Sequence, residues 1–339
     1  MKAWVLHGIN NLRYETVSDL QPKENQVLIK VKAAGICGSD IPRIYKTGMY
    51  SHPLIPGHEF CGIVDKIGEN VSEDLLGKRV GVFPLIPCNK CKCCLGKKYE
   101  MCLNYNYIGS RTNGAFAEYV VAPADNVIIL PDEISYETAA MLEPMAVAIH
   151  AIRKSNIKTG DSVAVVGLGT IGMLITTFLN HMEYNDINVI GNKEIQKRTI
   201  HELGLERVQY KSFSNISDLS DCDIVFECVG SNEAINCAIN IAAHGGKVVT
   251  VGNPKSDVTF DKNVYWKILR RQLTLIGTWN SSFTHDINDD WNYVIGLIGK
   301  HKIDISPIVS HRFSMADLDQ GLKIMRDKTE EFMKIMIVE

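Results

Sequence analysis

The sequence predicts an α/β protein in which a doubly wound parallel sheet is joined to a second, mainly β domain. Three observations predict it. Residues up to about 130 read as short strands punctuated by Gly and Pro. From about residue 160, apolar strands alternate with helical patterns, the signature of a parallel sheet covered on both faces. A glycine-rich turn stands between the first of those strands and its helix.

The bulk properties set limits. A chain of 339 residues favours about two domains. With 45% hydrophobic and 22% charged residues it has the balance of an ordinary globular protein. A formal net charge of -3 and a pI of 6.4 give no reason to expect nucleic acid or an anionic membrane as partner. No stretch approaches the roughly 18 apolar residues of a membrane span. The opening MKAWVLHGINNLRYE reads as a first strand, not a signal peptide. A cytoplasmic location is therefore expected, and there thiols stay reduced. Five of the ten cysteines fall within residues 88–102, which then read as metal ligands before disulfides.

In the β portion, alternation predicts strands over 2–6, 26–33, 62–67, 79–83, 114–121 and 127–130. Residues 135–154 have helical spacing, with Ser135 as N-cap. Strands at 162–166, 187–190, 224–229, 247–251 and 273–276 then alternate with helices at 171–181, 194–203 and 233–243. Beyond about 285 come two amphipathic helices and a strand at 334–338. The expected division is 1–150 with 285–339 as one domain, containing a cysteine lobe at 84–105, and 151–284 as the other.

The strand at 162–166 runs into Gly167-Leu168-Gly169-Thr170-Ile171-Gly172, a G-x-G-x-x-G turn opening a helix. In that position it is a dinucleotide-binding fingerprint. The glycines allow a tight turn, a close backbone approach to a pyrophosphate and close helix–strand packing. The second strand ends in Gly191-Asn192-Lys193, where an NAD site usually carries Asp or Glu for the ribose 2′-hydroxyl. Lys193, and more weakly Arg198, would instead suit a 2′-phosphate, so NADP(H) is expected over NAD(H). The alternative is that Lys193 is a solvated loop residue.

Cys88, Cys91, Cys94 and Cys102 have the spacing C-x2-C-x2-C-x7-C, suited to a closed tetrahedral zinc shell that orders the lobe. Cys93 is a fifth thiol, read as pointing away, with exchange for Cys94 as the alternative. Cys37, His58 and Glu143 are ligand types for a catalytic zinc, but spacing alone does not join them.

Taken together, Gly-Ile-Cys-Gly-Ser-Asp at 35–40, Gly-His-Glu-x-x-Gly at 57–62, the four-cysteine lobe, Glu143-Pro144 and the glycine turn resemble the zinc-containing medium-chain dehydrogenases. The resemblance spans nearly the whole chain. It implies a GroES-like catalytic domain built from both ends of the sequence, a central Rossmann domain, and an active site in the cleft between them. It also implies two zinc ions per subunit. Cys37, His58 and Glu143 would bind the catalytic ion with Glu59 beside it, and Ser39 would act as the proton-relay hydroxyl. Glu143-Pro144 resembles the polyol branch. The segments at 37–44, 84–88, 108–111 and 267–270 are similar to the galactitol-1-phosphate 5-dehydrogenases within it. Such a substrate would want cations, for which Arg43, Lys46 and Arg111 are candidates; surface or interface charge is the alternative. The expected reaction interconverts a secondary alcohol and a ketone on a polyol or its phosphate, tagatose 6-phosphate being the ketone on this reading. Rival readings are a sorbitol or ketose reductase, a pentitol-phosphate dehydrogenase, an NADP-dependent secondary-alcohol dehydrogenase, and a non-catalytic NADP(H)-binding sensor. The family also implies a homodimer or homotetramer.

Overall fold

The computed structural model describes residues 1–213, 216, 219, 221–254, 256–301 and 303–339. They form two compact units, Met1–Glu143 with Ser282–Glu339, and Pro144–Ser281. The divisions at 143/144 and 281/282 stand beside the expected 150/151 and 284/285, and both 143/144 and 150/151 fall within one helix, Leu142–Ser155.

In the first unit, β1 (Lys2–Leu6) and β2 (Leu12–Thr16) form an antiparallel hairpin. β3 (Gln26–Ile36) is the longest strand, and a short turn α1 (Asp40–Pro42) continues into a wider π turn at Arg43–Thr47. β4 (Glu59–Ile67) and β5 (Arg79–Val82) follow. The pair β6 (Leu85–Ile86) and β7 (Asn106–Tyr107) brackets the cysteine lobe with its one-turn helix α2 (Lys92–Leu95). Then come β8 (Tyr119–Pro123), β9 (Val127–Ile129) and α3 (Tyr136–Ala140), and α4 (Leu142–Ser155) carries the chain into the second unit.

Two expectations are corrected here. The strand expected over 114–121 begins only at Tyr119. The preceding N–H groups of Gly114, Ala115 and Phe116 bond the carbonyls of Ile55, Gly57 and Pro56, so this stretch packs on a loop, and it meets β1 only through the single antiparallel bridge Ala3–Ala117. The single helix expected over 135–154 breaks at Met141. Pro144 has no N–H for the carbonyl four residues back, and its ring crowds that group. The Ser135 cap does form, its Oγ accepting from Thr138 N–H at 3.1 Å.

The second unit alternates as expected: β10 (Val163–Val166), α5 (Thr170–His181), β11 (Ile187–Gly191), α6 (Glu194–Glu202), β12 (Val208–Ser212), β13 (Cys222–Glu227), α7 (Asn232–Ile241), β14 (Ala242–Thr250), α8 (Lys262–Arg270) and β15 (Thr274–Gly277). Its six strands are all parallel, in the order β12-β11-β10-β13-β14-β15. This is the doubly wound dinucleotide-binding order, with its switch point beside β10. All four residues of β10 are fully buried, as a strand covered on both faces requires.

The chain returns to the first unit with α9 (Asp290–His301), β16 (Val309–Phe313), α10 (Leu318–Asp327) and β17 (Lys334–Val338). The sheet there runs β16-β17-β3-β4-β5-β9, with β8 also on β3. β4 takes one edge of β3, while β8 and β17 divide the other, β8 along residues 26–30 and β17 along 33–36. Trp4, Ile29, Ile36, Phe60 and Phe116 lie in the core beneath. Among the described residues no helix is long and apolar enough to cross a membrane.

The turn after β10 has a steric demand. Gly167 has φ 94°, and a Cβ on Gly172 would overlap the Gly167 carbonyl oxygen, a backbone atom with little room to yield. Gly172→Ala should therefore cost about 1–3 kcal/mol, the range for overpacking. It should lower the thermal midpoint of cofactor-free protein; an unchanged midpoint would show that helix and strand can part at no cost.

Candidate active site

The register of β3 and β4 assembles the first cluster. Gly35 pairs with Glu59, so the turn beyond β3, bearing Cys37, lies beside the residue entering β4, His58. The ligand atoms of Cys37, His58 and Glu59 lie within 4.8 Å of one another. Asp40 fixes the geometry. One of its oxygens accepts the Cys37 N–H at 3.0 Å, and the other lies 3.5 Å from His58 Nδ1. Both side chains are buried, which leaves the other imidazole nitrogen for a ligand, as in carboxylate–histidine–metal sites. Burial disfavours a charged imidazole. The Asp40 and Cys37 charges outweigh it and hold the His58 pKa well above its ordinary value. The cluster attracts positive charge.

Glu59 is met by Lys334, whose ammonium also donates to Ile36 O at 3.1 Å. Both partners are almost fully buried. Burial opposes the ammonium, but Glu59 keeps the Lys334 pKa raised. A Cβ on Gly35 would overlap the Glu59 carboxylate and crowd Lys334, so this pair explains the glycine that opens the 35–40 motif.

Glu143 lies outside the tight group. It accepts a hydrogen bond from Tyr107 Oη at 3.1 Å, and the Tyr107 ring meets His58 edge-on at 5.7 Å. Loss of water around it, and the Glu59 charge, push its carboxyl up to about 7 against the pull of His58, Lys334 and Tyr107. The segment leading to Glu143 is anchored by Arg79, which donates to the carbonyls of Pro131, Asp132 and Ile134 and lies over the Tyr136 ring.

Ser39 Oγ donates to Cys37 Sγ at 3.2 Å and accepts from Arg43 at 3.0 Å. Arg43 thus stands at the relay candidate. Lys46 is exposed on the same turn. Arg111 stands apart, donating to Tyr105 O at 3.0 Å and packed on the rings of Tyr50 and Tyr105 at 4.2 and 4.3 Å.

In the lobe, the sulfurs of Cys88, Cys91, Cys94 and Cys102 converge within 4.8 Å; Cys93 is outside the group. Sulfur separations are 3.9 Å for Cys88–Cys94, 3.5 Å for Cys91–Cys94 and 4.0 Å for Cys91–Cys102. The edge of a tetrahedron with zinc–sulfur bonds of about 2.3 Å is about 3.8 Å. The N–H groups of Leu103 and Cys94 lower the Cys91 pKa to about 6, while burial and neighbouring sulfurs raise Cys94 to about 12. Four thiolates this close need a cation among them, so the donor set fits zinc.

In the second unit, α5 begins with Gly169 as N-cap and no side-chain cap bond. Nothing lies within 4 Å of where a Gly169 Cβ would be, so the helix N-terminus has room for a phosphate. Thr170 and Ile171 open the helix. Leu168 contributes backbone only, its side chain being buried. Beyond Gly191, Asn192 is exposed, Lys193 half-buried, and Arg198 faces Glu202 at 3.9 Å on the exposed side of α6.

Sequence reasoning missed Lys334, Tyr107 and Gln196. Lys334 opens an apolar strand, a placement that reads as solvated, and its partner is 275 residues away. Gln196 accepts the N–H groups of Asn192 and Lys193 and donates to Leu168 O.

Comparison with known proteins places this geometry. Residues 23–132 match the model described as the alcohol dehydrogenase GroES-like domain, and residues 170–300 the one described as zinc-binding dehydrogenase. The chain is 30% identical over 311 residues to galactitol 1-phosphate 5-dehydrogenase of Escherichia coli (strain K12), covering 88% of this chain and 89% of that one. It is 33% identical to L-threonine 3-dehydrogenase of Bacillus subtilis (strain 168), covering 89% and 88%. The crystal structure of galactitol-1-phosphate dehydrogenase from Escherichia coli superposes with a TM-score of 0.90 at 27% identity, over 100% of both chains. A zinc-binding dehydrogenase from Sinorhizobium meliloti 1021 bound to NADP gives 0.89 at 26%, over 100% and 99%.

Two outcomes follow. Lys334→Met leaves the buried Glu59 charge without its partner and should cost about 3–5 kcal/mol in urea unfolding of metal-free protein. Adding Glu59→Gln should recover most of the loss; strictly additive losses would mean the two do not interact. In metal-stripped protein at pH 7, iodoacetamide should modify Cys91 first and spare Cys222, whose thiol burial pushes up to about 12. Peptide mass mapping reads this, and zinc loading should protect Cys91; equal labelling with and without zinc would reject a metal at the lobe.

Proposed function

The chain belongs to the zinc-containing medium-chain dehydrogenases and is an alcohol dehydrogenase using zinc and a nicotinamide cofactor; from that premise we propose that it interconverts a secondary alcohol and a ketone on a polyol phosphate, with NADP(H). The observation that carries the substrate class is Arg43, a cation 3.0 Å from the relay hydroxyl of Ser39. An arginine there suits an anionic group on the substrate. The similarity to galactitol 1-phosphate 5-dehydrogenase supports a phosphate in that role. Arg111, held by two tyrosines and a carbonyl, is the weaker candidate, and Lys46 would act only as an exposed charge.

Cys37, His58 and Glu143, with Glu59 beside them, would hold one zinc, and Cys88, Cys91, Cys94 and Cys102 a structural second. When bound, the first zinc would supply Lewis acidity toward a substrate hydroxyl and the nicotinamide cofactor a hydride acceptor or donor. Ser39 would take the hydroxyl proton at Oγ during oxidation while its own proton passes to solvent water, and the same steps would run backwards in reduction. Arg43 stabilises the negative charge that gathers on Oγ. Asp40 orients His58, Tyr107 orients Glu143, and Lys334 holds Glu59. Gly191 and Lys193 support the choice of NADP(H), and a 2′-phosphate would be received there. Leu275 on the edge strand β15 and Trp266 on α8 are exposed apolar residues, which supports pairing of two copies along that edge.

A second reading has its own support. Arg43 would equally pair with a carboxylate, and a relative named L-threonine 3-dehydrogenase is 33% identical. Initial rates of the zinc-loaded enzyme on tagatose 6-phosphate and tagatose, each with NADPH and NADH, and on L-threonine with NADP+ and NAD+, separate the two. The phosphate should raise kcat/KM at least about tenfold, worth some 1.4 kcal/mol, and Arg43→Ala should remove that gain. Equal rates on both ketoses would reject the phosphate, and turnover of L-threonine alone would move the protein to the second reading.

A further inference from the structure

Gln196 is a buried amide whose hydrogen bonds tie two loops together. Its Oε1 accepts the N–H groups of Asn192 at 3.0 Å and Lys193 at 3.1 Å. Its Nε2 donates to Leu168 O, in the glycine turn, at 3.1 Å. The side chain is 5% exposed, so these bonds are not exchanged with water. The same oxygen fills the space beside Gly191. A Cβ built on Gly191 would overlap Gln196 Oε1 and come within 3.0 Å of the Tyr210 ring and hydroxyl. A carboxylate at 191 would need that space and would face the amide oxygen with its charge.

We propose that Gln196 is a positioning residue for cofactor choice, coupled sterically to Gly191. It holds the Asn192–Lys193 backbone at the ribose edge and keeps any side chain out of position 191, so that Lys193 is presented where a carboxylate would otherwise stand. The proposal rests on the NADP(H) reading for its direction, but the coupling is tested separately. Gly191→Asp alone then fails to convert the enzyme to NADH, because the new side chain must first break the clamp. Conversion requires Gln196 to be cut back as well.

The experiment is fluorescence titration of NADPH and NADH into purified wild type, Gln196→Ala, Gly191→Asp and the double variant, with the thermal midpoint of each cofactor-free protein. Gln196→Ala should weaken NADPH on the order of tenfold, the effect of losing a buried bond or two, while NADH changes much less. Gly191→Asp should lose thermal stability and bind both cofactors poorly. The double variant should regain the midpoint and bind NADH more tightly than either single variant, a non-additive result expected of neighbours that share space. Additive midpoints, or equal weakening of both cofactors by Gln196→Ala, overturn the proposal. A wild type that prefers NADH, with non-additive midpoints, overturns the NADP(H) reading and leaves the steric coupling supported.

Discussion

The buried ammonium–carboxylate pair of Lys334 and Glu59 is the interaction on which the cluster of Cys37, His58 and Glu59 depends. It joins β17 to β4 across β3, and it stands where Cys37 and His58 converge. A buried pair is weak evidence of added stability, because desolvating two charges is costly. Its value here is positional. Lys334 also binds Ile36 O, one residue before Cys37, so a single ammonium fixes the carboxylate and the backbone leading to the thiol. Gly35 is the steric counterpart of that arrangement, small because the pair occupies the space above it.

The two cysteine-bearing sites face opposite electrostatic problems. The lobe gathers four thiols on a short stretch of chain, and backbone N–H groups lower the Cys91 pKa while burial and neighbouring sulfurs raise that of Cys94. Only a cation reconciles them. The other site mixes charge types: Asp40, Cys37, Glu59 and Glu143 are set against His58, Lys334 and Arg43. Ser39 sits between a sulfur and a guanidinium, in contact with both signs of charge. That is a suitable place for a group that must gain and lose a proton.

The legible parts of the molecule were the local ones. The cysteine lobe and the glycine turn announce themselves because their partners lie within a few residues and their spacing is itself the geometry. The alternation from β10 onward was legible because both-face burial leaves runs such as Val-Ala-Val-Val. β12 and α8 were not. β12 is a partly exposed edge strand without alternation, and α8 is a nine-residue helix that leaves Trp266 and Leu269 partly exposed. Residues 114–118 alternate like a strand, yet 114–116 bond to a loop some sixty positions earlier and 117 makes only an isolated bridge to Ala3. Pro144 carried the signal for the helix break at Met141. Lys334, Tyr107 and Gln196 carry none, since each takes its meaning from a neighbour brought near only by the fold.

The distance along the chain between Glu59 and Lys334 has a consequence for synthesis. After Glu59 is made, 275 further residues must be added before its counter-ion exists. At roughly 5–20 residues per second that takes on the order of a quarter of a minute to a minute. Through that time β3 lacks β17 on the edge that leads to Cys37, and a carboxylate destined for the interior stays in water. The unit from Pro144 to Ser281 is continuous in the chain and is complete well before then. A nascent chain would therefore have its continuous second unit finished while the cluster of Cys37, His58 and Glu59 still waited for β17.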